Sequence, residues 1–205
     1  MRGIGQLEHE LAKRMAESVA RQGHIPRDKI SIYQYGFELF ISAICSILLV
    51  LVIGVAFGHP EYTLIYLIGF IPIRVCAGGY HGRTHLECYL VFATAFTMCI
   101  ILSSALASVQ IFPVITCSFL LLLMTCLAPV EAKNKPLTPE RRKRNHKSAV
   151  ILSAADLLIA VILFCMEFEF GALASMYYMS KWTVILFTIW PVVCESLQKL
   201  TYVER

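Results

Sequence analysis

Charge is scarce in this chain and unevenly spread. Asp, Glu, Lys and Arg make up 16% of its 205 residues, against about 25% in an ordinary soluble domain. With 58% hydrophobic residues, the chain lacks the polar surface that a soluble domain of this length needs. A secretory signal is missing too: residues 1–29 hold no apolar core, and Glu8, Glu10 and Glu17 lie among the bases. The period-two alternation of transmembrane β-strands, about ten residues each, is not found. Nor do the eight cysteines make a disulfide framework. Cys45, Cys99, Cys117, Cys126, Cys165 and Cys194 sit in apolar runs, where a thiol behaves as a small hydrophobe.

What the chain does have is six apolar intervals, approximately 38–57, 62–80, 88–107, 111–129, 149–166 and 181–198. Each is near the roughly 20 residues that cross a hydrocarbon core, and the mean hydropathy is +0.68. Helices satisfy their own backbone groups in lipid. The expected fold is therefore an all-α polytopic membrane protein with six transmembrane helices, one embedded domain over 1–205. The second interval is expected to be short, kinked or broken, because Pro72, Arg74 and Gly78-Gly79 fall in its second half. Residues 1–30 read as an amphipathic segment. Leu7, Leu11, Met15 and Val19 share one stripe, with Glu10, Lys13, Arg14, Glu17 and Arg21 off it. Such a helix suits the membrane interface; a cytoplasmic helix packed on the protein's own loops fits equally well.

Orientation follows from the bases. With the N-terminus inside, 17 of the 18 Lys and Arg fall on cytoplasmic segments, and only Lys181 is left outside. This is a strong positive-inside bias. It puts a multi-pass chain in the cell membrane, with both termini and residues 74–88 on the cytoplasmic side.

That segment, Arg74 to Cys88, is where polar chemistry concentrates. It holds His81, His85, Cys76, Cys88, Arg74, Arg83 and three glycines. Such groups are costly beside a membrane, so their clustering argues for a site. An imidazole can take the proton of a thiol and make the attacking thiolate. On one continuous helix His81 and Cys88 lie about 10 Å apart along the axis, so a His81–Cys88 dyad requires a break between them. Gly78, Gly79 and Gly82 favour irregular backbone there. A helix continuous through His85 would instead make His85 and Cys88 neighbours at i,i+3. The residues alone leave the base open. Cys88 at the start of an apolar helix would also lie near a helix N-terminus, which favours thiolate. Three other readings compete: a zinc site of Cys76, His81, His85 and Cys88, whose spacing matches no familiar structural zinc pattern; a lipid-anchoring loop; and a transporter groove without covalent chemistry.

Two further features stand out. Asp156 falls inside the fifth interval, where a carboxylate costs roughly 2.5–3.5 kcal/mol. It is expected to orient an imidazole, pair with a base, or sit protonated near the interface. Residues 130–148 read as a basic cytoplasmic loop with seven bases. They serve either to anchor the chain to anionic lipid or to capture an acidic partner.

Arg74, Gly78-Gly79-Tyr80-His81 and Cys88 resemble the signature of the accessory gene regulator B (AgrB) family, membrane cysteine peptidases that mature quorum-sensing peptides. The run from Ala128 to Leu137, following the fourth interval, resembles that family's Pro-Val-x-x-x-Asn-Lys-Pro motif. Length and span layout agree as well. The resemblance implies Cys88 as nucleophile and His81 as general base, with Arg74, Gly78 and Gly79 supporting the site; His85 and Cys76 lie outside the pattern. It implies a precursor peptide with an acidic C-terminal tail as substrate, for which Lys133, Lys135, Arg141, Arg142 and Arg144 are candidate binding residues. The tail is cut off through a Cys88 thioester, and the signal portion closes into a thiolactone. A homodimer is implied, and the small residues Ser103, Ser104, Ala105 and Ala107 of the third interval suit close packing against a partner. No cofactor, metal or nucleic acid is expected. The alternative is a non-enzymatic peptide exporter or scaffold of the same topology.

Overall fold

The computed structural model describes residues 3–23, 26–79, 84–131, 137–166 and 171–203. Seven α-helices run through these residues: α1 (Gly3–Arg21), α2 (Ile30–Ala56), α3 (Pro60–Ala77), α4 (His85–Leu106), α5 (Phe112–Leu127), α6 (Pro139–Cys165) and α7 (Ala172–Val203). A single 3₁₀ turn, Arg27–Lys29, leads into α2. Among the described residues, α2, α3, α4 and α6 are long and apolar enough to cross a membrane. α5 is apolar but has 16 residues, or about 24 Å of helix against a core of about 30 Å. The chain is a helical membrane protein.

Several boundaries differ from the apolar intervals, for physical reasons. α3 starts with Pro60 in its first turn, where the missing N–H has no intrahelical partner anyway. It carries Pro72 inside and runs on to Ala77 rather than breaking, since a membrane helix tolerates the loss of one bond. α6 starts well before its apolar interval. Thr138 has extended backbone, and its hydroxyl accepts from Arg141 N at 3.4 Å. Pro139 and Glu140 follow in the first turn, a favourable N-terminus for sequence and dipole. Arg141, Arg142, Lys143, Arg144 and Lys147 therefore ride on the opening turns of a helix, not on a loop. α7 begins at Ala172, so Lys181 lies well inside that helix rather than in an outer turn.

The chain groups into two compact units. The first comprises residues 1–57 and 82–94. In it α1 buries Glu8, Ala12 and Ala16, spaced four residues apart on one face. Leu7 and Leu11 point outward, 72% and 50% exposed. The seam is thus made of small residues, which let helices approach closely, and the leucine stripe is not the packing face. A polar clasp joins α1 to α2: His9 Nδ1 lies 2.7 Å from Glu38 Oε1.

The second unit comprises residues 58–81 and 95–205. Its core stacks Tyr66 against Phe96 at 5.0 Å and Phe70 at 5.6 Å, with Phe187 edge-on to Phe70 at 6.1 Å. α3 and α7 approach so closely that a Cβ on Gly69 would lie 2.2 Å from Ser180 Oγ. A second cluster joins Cys117, Ala160 and Tyr178 of α5, α6 and α7. Asp156, buried on α6, pairs with Lys181 of α7 at 2.8 Å. Of the three readings of Asp156, pairing with a base is the one realised.

Candidate active site

Cys88 sits in the first turn of α4, which begins at His85. The start is set locally. Thr84 Oγ1 accepts from Glu87 N at 3.2 Å, and Cys88 N donates to Thr84 O at 3.2 Å. Thr84-x-x-Glu87 has the spacing of a capping box, a signal in the sequence that the motif reading passed over. Cys88 is half-buried there. α4 begins at His85, and Thr84 before it is not helical. His81 itself, with Tyr80, Gly82 and Arg83, lies outside the described residues. His85 and Cys88 are i,i+3 neighbours on α4.

The rest of the first unit brings three more polar groups to this turn. Glu8 of α1 is 5% exposed. Tyr89 donates its hydroxyl to Glu8 Oε1. His85 Nδ1 lies 3.2 Å from Glu8 Oε2 and 3.3 Å from Ser42 Oγ of α2. Glu8, Ser42 and Tyr89 were not singled out from sequence. The only available signal for Glu8 was a carboxylate in register with Ala12 and Ala16.

In the second unit, the turn after α3 is built from glycine. Gly78 and Gly79 both have positive φ, 68° and 108°. Gly78 pairs with Val130 in an isolated parallel bridge. Val130 N donates to Ala77 O at 2.8 Å, and Gly79 N donates to Val130 O at 3.0 Å. A Cβ on Gly78 would lie 2.3 Å from Val130 O; on Gly79 it would lie 2.4 Å from Phe187 O and 2.8 Å from Arg74 Nη1. Gly78-Gly79 of one sequence motif and Val130 of the other are therefore joined, with Val130 laid against the glycine turn. Arg74 stands over the Phe187 ring at 5.6 Å, and its carbonyl accepts from Gly78 N at 3.2 Å. His146 of α6 holds the same segment through Ala128 O, 2.8 Å away.

Of the candidate tail-binding bases, Arg141, Arg142 and Arg144 are exposed on α6, and Arg142 approaches Glu131 at 3.7 Å. Lys133 and Lys135 lie outside the described residues. Among the described residues, no group of three or more His, Cys, Asp or Glu side chains is placed to hold a metal ion.

Seven helices among the described residues, four of them apolar and of membrane length, define a helical membrane protein. The family model of accessory gene regulator B matches residues 12–198, and the chain belongs to that family. It is 27% identical to an AgrB-like protein of Clostridium perfringens strain 13 over 170 residues, covering 78% of this chain and 79% of that one. It is 21% identical to accessory gene regulator protein B of Staphylococcus lugdunensis over 150 residues, 72% of this chain and 78% of that one. No solved structure matches the chain significantly.

Proposed function

We propose that this protein is a membrane cysteine endopeptidase of quorum sensing, which cuts the C-terminal tail from a signal precursor and promotes thiolactone closure. The observation that carries the reading is Cys88 in the capped first turn of α4, in a chain whose family is that of accessory gene regulator B. His81 takes the Cys88 proton, and the thiolate attacks the scissile carbonyl. The peptide C–N bond breaks, the tail leaves as an amine carrying that proton, and the signal portion stays on Cys88 as a thioester. A cysteine thiol of the substrate then attacks the thioester. It forms the ring thioester and returns the Cys88 thiol. One thioester replaces another, so the step is near thermoneutral apart from ring strain, whereas water would hydrolyse the same intermediate irreversibly. Exclusion of water at the membrane boundary favours cyclisation.

Arg74, Gly78 and Gly79 support the site; the N–H groups of both glycines already donate to Arg74 O and Val130 O, so the Arg74 guanidinium is the candidate oxyanion donor. The basic residues Lys133, Lys135, Arg141, Arg142 and Arg144 take the acidic tail. The chain crosses the cell membrane six times as one domain, with both termini and the site cytoplasmic. α1 lies in the interface with Leu7 and Leu11 toward lipid, and the protein works as a homodimer.

The test is to mix the protein in liposomes with precursor peptide and follow tail release and covalent adducts by mass spectrometry. Cys88→Ala and His81→Ala are expected to lose both, and His85→Ala to retain both at reduced rate. Intact turnover by Cys88→Ala would sink the mechanism and leave the exporter reading.

A further inference from the structure

The buried face of α1 poses a question. Ala12 and Ala16 on that face are fully buried and suit close helix packing. Glu8, next in the same register, is a carboxylate 5% exposed. Burying a carboxylate is costly unless its oxygens are matched. Oε1 is matched by the Tyr89 hydroxyl. Oε2 has no aligned hydrogen bond among the described residues; it faces His85 Nδ1 at 3.2 Å. An alanine in the register of Ala12 and Ala16 would pack without this cost.

Both polar neighbours named for Glu8 belong to the opening of α4. His85 is its first residue, Tyr89 lies one turn on, and Cys88 stands between them. Ser42 of α2 joins the cluster, its Oγ 3.3 Å from the same His85 Nδ1. Gly5 brings the α1 backbone close as well: a Cβ there would lie 3.9 Å from His85 Cδ2. Two helices thus grip one helical turn through polar contacts on both residues that flank the cysteine.

We propose that Glu8 is a positioning residue for Cys88. Its carboxylate, set by Tyr89 and placed against His85, fixes the first turn of α4 and with it the direction of the thiol. The N-terminal helix is then a working part of the centre and not only a membrane anchor. This rests on Cys88 being the reactive residue. A displacement of about 1 Å at a reacting atom can cost on the order of 10²-fold in rate, so loss of the grip should appear in reactivity before it appears in folding.

The test uses the full chain in liposomes, with Glu8→Gln, Glu8→Asp and Tyr89→Phe. Two quantities are read: the rate of iodoacetamide modification at Cys88, followed by mass spectrometry of its peptide, and kcat and KM for precursor cleavage. Glu8→Gln and Tyr89→Phe are expected to slow Cys88 alkylation and kcat at least about tenfold, with KM and thermal unfolding little changed and Glu8→Asp partly restored. Unchanged alkylation and kcat in both Glu8→Gln and Tyr89→Phe would overturn the proposal. So would losses that track the unfolded fraction alone. Should Glu8→Gln fail to fold, Tyr89→Phe, which removes one oxygen, decides by itself. If unmodified protein never acylates Cys88 with precursor, the peptidase reading fails, while the alkylation rates still report on positioning.

Discussion

Lys181 Nζ of α7 lies 2.8 Å from Asp156 Oδ2 of α6, with both residues buried, at 2% and 8% exposure. The pair is not alone. Lys181 also donates to Gly69 O at 2.9 Å, Tyr177 donates to Asp156 Oδ1 at 2.6 Å, and the ammonium stands 4.2 Å from the Tyr177 ring centroid. Three helices are tied at one point, and every charge has a partner. Removing one member leaves an uncompensated buried charge, which costs about 3–5 kcal/mol, while replacing both with apolar residues is often neutral or stabilising. Asp156→Leu and Lys181→Met are each expected to destabilise by about that amount, and the double variant to recover most of it. Unfolding in detergent measures all four proteins. Additive losses in the double variant would refute the coupling.

The glycine turn makes a second prediction. At Gly79 a side chain meets Phe187 O and Arg74 Nη1, and at Gly78 it meets Val130 O. The backbone at Gly78, φ 68° and ψ −143°, belongs to a region essentially reserved for glycine, costing other residues about 1–3 kcal/mol. Gly78→Ala and Gly79→Ala are each expected to destabilise by at least that much and to abolish precursor cleavage. Val130→Ala, which keeps the backbone bridge, is expected to be far milder. Thermal unfolding and tail release, measured side by side, decide.

How much of this was legible beforehand depends on the range of the interaction. The helical membrane class came from composition, and Cys88 as a candidate from the local motif. The motifs around Gly78 and Val130 were each visible, but their pairing was not, because a single parallel bridge leaves no local period. The leucine stripe of α1 was legible as an amphipathic face, but whether it met the membrane interface or the protein's own loops was open. In water an apolar face marks the packing face; beside lipid, Leu7 and Leu11 can face outward while Ala12 and Ala16 make the seam. Lys181 was counted as an outer base because hydropathy places the start of a span at its last charge, whereas its partner, Asp156, lies on another helix. α6 was shortened for the same reason: its basic first turns lower hydropathy without impairing helix formation.

The basic start of α6 yields a prediction about substrate capture. Arg141, Arg142 and Arg144 are exposed, and exposed pairs with a carboxylate are weak singly, about 0.2–1 kcal/mol each. Neutralising all three with Gln is expected to raise KM severalfold for a precursor with an acidic tail and to flatten its salt dependence, leaving kcat nearly unchanged. A precursor whose tail acids are replaced by amides should show the same KM with either protein. If binding and its salt dependence are unaltered by the triple substitution, these bases serve the lipid surface and not the tail.

α1 offers the cleanest separation of a packing face from an exposed face. Ala12 and Ala16 are fully buried, while Leu7 is 72% exposed. Ala12→Leu and Ala16→Leu force extra volume into a close seam and are expected to cost about 1–3 kcal/mol each. Leu7 is mostly exposed, so Leu7→Ser should leave unfolding in detergent within about 0.5 kcal/mol. In liposomes the same change should weaken the hold of α1 on the bilayer, since each apolar side chain withdrawn from the interface forfeits burial worth about 1.5–3 kcal/mol at most. Spin labels at Gln6 and Glu10 would report that shift as greater accessibility to water-soluble relaxation agents. Should Leu7→Ser destabilise as much as Ala12→Leu in detergent, the leucine stripe packs against protein after all, and the assignment of the two faces is reversed.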